Sequence, residues 1–130
     1  MRLRRLDDEE VARVDEQHGS GDEHAHGLPS AARRGVHLRV LLDPTQPQNA
    51  TAFGLLEPAG AAVRFYRQVG DELLHAKLGI FDAAITLFGS CNWSRSGFTR
   101  NHELDLLVRE PQLARTFLSR MAQDWAVSTP

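Results

Sequence analysis

Four side chains in the second half of this sequence have the types and spacing to act together on an anionic, oxygen-rich group: His75, Lys77, Ser90 and Asn92. Residues two apart on a strand project to the same face. His75 and Lys77 therefore form one pair, and Ser90 and Asn92 form a second at the end of the following strand, just after Gly89. Ala76, Leu78 and Ile80 take the opposite face and can pack against a helix. An imidazole can act as a nucleophile, while an ammonium, a hydroxyl and an amide are donors suited to phosphoryl oxygens. Composition singles out the same place: the chain has fourteen arginines and one lysine, Lys77. Where charge alone matters the sequence uses arginine, and the compact ammonium is kept at one position only.

Those pairs need two neighbouring strands, and LLHAKLGIFD followed almost at once by AAITLFGS reads as a hairpin. Upstream, LPSAARRG reads as a helix end stopped by Gly35. GVHLRVLLD reads as a strand, Pro44 and Pro47 as a loop, NATAFGLLEPAG as a short helix and AAVRFY as another strand. Strand, helix, strand implies a parallel pair with a right-handed crossover. ELDLLVRE adds a further strand. PQLARTFLSRMAQDWA reads as an amphipathic helix with Pro111 in its first turn and Leu113, Phe117, Met121 and Trp125 on one face. The expected class is α/β, a mixed β-sheet flanked by helices.

The chain has 130 residues, one domain's worth, and its 42% apolar and 25% charged residues suit a globular fold. A net charge of −2 provides no global basic field for nucleic acid. Cys91 is the only cysteine, so no intramolecular disulfide can form, and it reads as a small buried filler. No apolar run reaches the length of a membrane span and the N-terminus lacks a signal-peptide core, so the expected location is cytoplasmic. Residues 1–27 carry four arginines against eight acids and read as a polar leading segment, in which DDEEVARVDEQ can form a short helix. His18, His24 and His26 lie in a glycine-rich linker with no cysteine, so neither a metal nor another cofactor is expected. His37 and His102 read as structural or exposed. Residues 28–130 then form the domain that carries the chemistry.

The pattern H-A-K-L-G-I-F-D followed by G-S-C-N resembles the signature of the phospholipase D superfamily, H-x-K-x4-D-x6-G-S-x-N. His75, Lys77, Asp82, Gly89, Ser90 and Asn92 fill every specified position. A chance match in a chain this long has odds on the order of one in a million. Asn101 and Glu103 fit the N-x-E found downstream in the family, and AARRGVHLRVLLD resembles its A-x-x-R-G-V-x-V-R-V-L-L-D. The likeness covers residues 28–130 and is strongest to the C-terminal half of bacterial phospholipase D-like and cardiolipin synthase-like proteins.

This resemblance implies a phosphodiesterase half-domain working through a phosphohistidine. His75 would attack phosphorus and Glu103 would hold its other ring nitrogen in the right tautomer. Lys77, Ser90 and Asn92 would bind the phosphate oxygens, and Asp82 would join the catalytic set as a structural acceptor. A second, protonated histidine must supply the leaving oxygen with its proton, and the chain has one motif. The implied partner is a second copy in a homodimer, or the other half of a two-motif enzyme. Family halves usually open on an apolar strand, and none is expected in residues 1–27. The implied substrate is a phosphodiester. A phospholipid, with peripheral membrane contact, would meet Trp93 and Phe98 near the mouth of the site. Nucleic acid is the alternative, gripped by Arg64, Arg67, Arg95 and Arg100. An inactive interaction module is the reading from another class.

Overall fold

The structure, a computed structural model, describes the backbone of residues 10–13 and the whole of residues 27–93 and 100–130. In chain order the elements are β1 (Glu10–Arg13), α1 (Gly27–Arg33), β2 (Leu38–Leu42), α2 (Asn49–Leu56), β3 (Ala62–Phe65), β4 (Lys77–Phe81), β5 (Ile85–Gly89), β6 (Asp105–Arg109) and α3 (Pro111–Val127). The strands form one sheet in the order β3-β2-β1-β4-β5-β6. β1, β2 and β3 run parallel, whereas β4, β5 and β6 are antiparallel to their neighbours. This is the mixed sheet the sequence predicts, with the β2–α2–β3 parallel unit and the β4–β5 hairpin in their expected places.

One expectation is corrected. Residues Glu10–Arg13 are a strand, and it lies in the middle of the sheet, parallel to β2 and antiparallel to β4. The helix anticipated over DDEEVARVDEQ, and the absence of any strand before residue 28, do not hold for these four residues. The physical reason is tertiary. β2 and β4 are buried strands whose facing backbone groups would be left unpaired by an empty slot, and pairing them outweighs a weak local preference.

The sheet is covered on both faces. On one, Leu38, Val40, Leu42 and Val63 pack with Ala32, Ala52 and Leu56 from α1 and α2. On the other, Leu41, Leu78 and Ile80 pack beneath α3, against Ala114, Phe117, Leu118 and Met121. Leu78 and Ile80 thus face a helix as their alternation predicts. α3 starts at Pro111, where the Glu110 carboxylate caps the helix by accepting from Gln112 N at 2.9 Å. Near its end Trp125 lies between two guanidiniums, Arg64 at 4.8 Å and Arg39 at 5.7 Å from the ring centroid. Thr129 then pairs with Phe65 and covers the outer edge of β3. Among the described residues no helix is long and apolar enough to cross a membrane.

Candidate active site

Strand direction brings the motif together. Because β4 and β6 run against the parallel strands, their first residues lie at the sheet end where β2 and β3 finish, and so does the last residue of β5. The register aligns Lys77 with Gly89 and Gly89 with Asp105. His75, Lys77, Ser90, Asn92 and Glu103 therefore gather at one end of three adjacent strands. In open α/β sheets the ligand crevice lies at the carboxyl ends of the parallel strands, and the gathering occupies that end.

His75 is exposed and precedes β4, so strand alternation does not place it; Lys77 is 8% exposed and opens the strand. What links them is a hydrogen bond, in which Lys77 Nζ donates to the His75 carbonyl at 3.0 Å. Lysine thus braces the backbone that carries the imidazole as well as supplying charge.

Ser90 and Glu103 form a second linked group. Ser90 Oγ donates to Glu103 Oε2 at 2.6 Å and accepts from Leu104 N at 3.1 Å, and Asn101 Nδ2 donates to Glu103 Oε1 at 3.0 Å. These bonds, Ser90's first, hold the Glu103 carboxyl below its ordinary value, with the Lys77 charge a smaller contribution. A depressed carboxylate keeps its contribution above the ordinary glutamate range and loses it only as pH falls through the lowered value. Glu103 is therefore ionised throughout the neutral range. Two expectations change. In this arrangement the Ser90 hydroxyl donates to Glu103 and so positions the carboxylate. The Glu103 oxygens take their hydrogen bonds from Ser90 and Asn101, and none among the described residues comes from His75.

Gly89 is required by close approach. A Cβ there would run into the Asp105 carboxylate and the Leu104 carbonyl, and would lie 2.6 Å from Asp105 Cα. Backbone cannot swing aside as a flexible side chain can. Gly89→Ala should therefore push β6 away from β5, costing about 1–3 kcal/mol of stability and separating Ser90 from Glu103. Chemical denaturation with an activity assay checks this; a variant equal to wild type in both would show that the two strands give way freely.

Asn92 is half-buried, and its amide oxygen has no hydrogen-bond partner among the described residues. That oxygen is buried and can only accept, so the group Asn92 can offer to phosphate oxygens is its Nδ2. Cys91 beside it is buried, with Sγ donating to the Asn92 carbonyl at 3.2 Å. Burial, then the negative charges of Asp105 and Glu103, raise its thiol from 9.0 to about 11. A neutral, buried thiol is a poor nucleophile, in keeping with its reading as a filler. We expect no modification by a thiol reagent at pH 8 until the protein is denatured; rapid labelling of the native protein would contradict the burial.

Other candidates lie elsewhere. Asp82 sits in the β4–β5 turn, with φ 54°. That is five residues beyond Lys77, or about 16 Å along an extended strand. It belongs to the far end of the hairpin, away from His75 and Lys77, a place compatible with the structural role expected of it. Trp93 does not line a mouth. It lies over Gly79, where a Cβ would come within 2.5 Å of its ring, and stacks on Phe81 with centroids 6.5 Å apart. Arg64 is spent on Trp125, donating to its carbonyl at 2.8 Å as well as stacking on its ring. Arg67 and Arg100 are exposed. Phe98, Arg95, His18, His24 and His26 lie outside the described residues, and among those described no group of three or more His, Cys, Asp or Glu could hold a metal ion.

Sequence reasoning missed the cavity that borders the site. A hollow of about 520 Å³ has His75 and Ala76 in its wall, with Tyr66, Glu72, Leu73 and Leu74 from the β3–β4 loop and Arg120 and Asp124 from α3. Asp124 forms an ion pair with Arg120, Oδ1 to Nε 3.5 Å. No motif spacing signals this group, since its members are distant in the chain.

Comparison with known proteins agrees with this geometry. A family model described as "Cardiolipin synthase, PLD-like domain" matches residues 17–125. The mitochondrial cardiolipin hydrolase of Canis lupus familiaris is 31% identical over 99 residues, covering 75% of this chain and 38% of that protein. Cardiolipin synthase A of Pseudomonas fluorescens is 30% identical over 106 residues, covering 78% of this chain and 22% of that one. The chain thus spans less than half the length of these curated relatives. Among solved structures, NucT from Helicobacter pylori superposes with a TM-score of 0.76 at 20% identity, covering 92% of this chain and 80% of that one. The phospholipase D family member Nuc from Salmonella typhimurium gives 0.72 at 21% identity, covering 92% and 77%. At these identities the structural likeness is one of fold.

Proposed function

The chain belongs to the phospholipase D-like family, and from that premise we propose that it cleaves or transfers across a phosphodiester bond of a phospholipid, through a phosphohistidine on His75. The observation that carries this reading is the gathering of His75, Lys77, Asn92 and Glu103 at one sheet end by the Lys77–Gly89–Asp105 register. In the first step a ring nitrogen of His75 bonds to phosphorus while the bond to the leaving oxygen breaks. Lys77 and Asn92 hold the non-bridging oxygens. Glu103, itself positioned by Ser90 and Asn101, keeps negative charge beside the site. The leaving oxygen takes its proton from a second histidine, and water then releases the phosphoryl group.

One chain supplies one such histidine. We assign the second to another copy in an isologous dimer, so that two copies of His75 face each other across one phosphate. The homologues named for cardiolipin favour a lipid over a nucleic acid substrate. So does Leu73, an apolar side chain in the cavity wall that is 56% exposed. An apolar side chain there suits peripheral contact with a lipid surface, and the arginine grip for nucleic acid loses Arg64 to Trp125.

The expected result is hydrolysis of bis(p-nitrophenyl) phosphate and of cardiolipin in vesicles, undiminished by EDTA because protein donors neutralise the phosphate. Single-stranded DNA should be cut far more slowly. Cleavage of DNA in preference to lipid would replace the substrate class, and activity restored only by a divalent ion would overturn the mechanism.

A further inference from the structure

We infer that Asp105 is a positioning residue for the phosphate chemistry: its carboxylate takes the Cys91 amide and so sets the angle at which the chain leaves β5 to present Asn92. This rests on the phosphodiesterase reading above and adds a residue that lies outside the motif.

The ladder between β5 and β6 ends at the pair Gly89–Asp105. One step further, Ser90 N still donates to the Leu104 carbonyl at 3.2 Å. The return bond is different. Leu104 N donates to Ser90 Oγ at 3.1 Å, where a regular antiparallel pair would give it the Ser90 carbonyl. The chain thus turns out of the sheet at Ser90. The next amide, that of the buried Cys91, needs a partner from outside the ladder. Asp105 Oδ1 supplies it at 3.1 Å. Opposed residues of antiparallel strands share a face, so Asp105 lies over Gly89, and a Cβ on Gly89 would meet its Oδ1 first. The missing side chain at position 89 is what lets the carboxylate reach back across the strand. An exposed charge on an edge strand ordinarily keeps other chains from pairing there. This one is spent on an amide of the neighbouring strand.

From Cys91 the connection continues to Asn92. Cys91 Sγ donates to the Asn92 carbonyl at 3.2 Å, so two bonds link Asp105 through Cys91 to Asn92. Asn92 Oδ1 is buried, which leaves Nδ2 as the end that can serve phosphate, and a single donor tolerates little error in aim. On the other side of the turn Ser90 Oγ holds Glu103 at 2.6 Å. Asp105 therefore fixes the backbone that carries both groups. A further negative charge beside a site for an anion opposes binding, so the useful part of Asp105 is its acceptor oxygen and not its charge.

The test is a double-mutant cycle, read in kcat and KM on bis(p-nitrophenyl) phosphate. Asp105→Ala should lower kcat about tenfold and change KM by less than about twofold. In a chain already carrying Asn92→Ala the same substitution should cost less than about twofold more, because the group it aims is gone. Asp105→Asn keeps the acceptor in place and should stay within about threefold of wild type in kcat. Asp105→Glu keeps the charge but moves the oxygen out by one methylene, and should lose more than Asp105→Asn; this pair decides the matter if the alanine variant does not fold. Full activity of Asp105→Ala, an equal loss in the Asn92→Ala background, or an Asp105→Asn variant slower than Asp105→Glu would each overturn the inference while leaving the phosphodiesterase reading in place. Absence of hydrolysis in wild type would overturn both.

Discussion

His75→Ala is expected to lower turnover by at least about 10⁴-fold, because removing the attacking atom abolishes the covalent route and leaves only binding and orientation. The fold should be unaffected. His75 is exposed, lies outside β4 and belongs to none of the core clusters, so its loss should change stability by no more than about 0.5 kcal/mol. Loss of activity with an unchanged melting curve therefore isolates a chemical role. Mixing supplies the sharper reading. If the site is shared by both copies, a dimer of one His75→Ala chain with one wild-type chain should be impaired. Activity of the mixture should then fall below the simple average of the two pure proteins. A strict monomer with full activity would end the shared-site model.

Lys77→Arg should lose about 10²–10³-fold in kcat although charge is kept. Lys77 is buried and its ammonium already reaches the His75 carbonyl at 3.0 Å. A planar, wider guanidinium must either displace that carbonyl, moving the imidazole with it, or intrude on the phosphate. Either fault is one of alignment, which weighs more on kcat than on KM. Lys77→Met, which removes the charge and keeps the stem, should be at least as inactive. Near-normal turnover of the arginine variant would show that position 77 needs only a cation.

The parts of this molecule that can be read from its sequence are those whose physics is local. The β4–β5 hairpin shows in two apolar runs with almost nothing between them, and α3 in the spacing of Phe117, Met121 and Trp125 behind Pro111. The motif identifies His75, Lys77 and Asn92 because chemistry restricts those residue types. The motif also carries Asp82, which the hairpin puts at the turn, at the end opposite Lys77 and Gly89. Ser90 reads from its type as a donor to phosphate, whereas in the fold its hydroxyl donates to Glu103. Trp93 and Arg64 were assigned to a substrate by residue type, whereas tertiary packing directs one onto Gly79 and the other onto Trp125. β1 is hidden because E-V-A-R spans too few residues to display an alternation, and its pairing comes from strands far along the chain.

That central strand has a consequence for how the chain must assemble. Residues 10–13 leave the ribosome before either of their partners, Leu38–Leu41 on one side and Leu78–Ile80 on the other. At ordinary rates of synthesis the second partner emerges on the order of several seconds later. Through that interval β2 is the one partner within reach of residues 10–13, and the edge that β4 will take stays open. The sheet closes only when the hairpin docks from the other side, so the two halves of the sheet, and with them the residues of the site, become one cooperative unit in a late event of high sequence separation. The four-residue strand acts as a clasp, fastened last although it is made before either strand it joins.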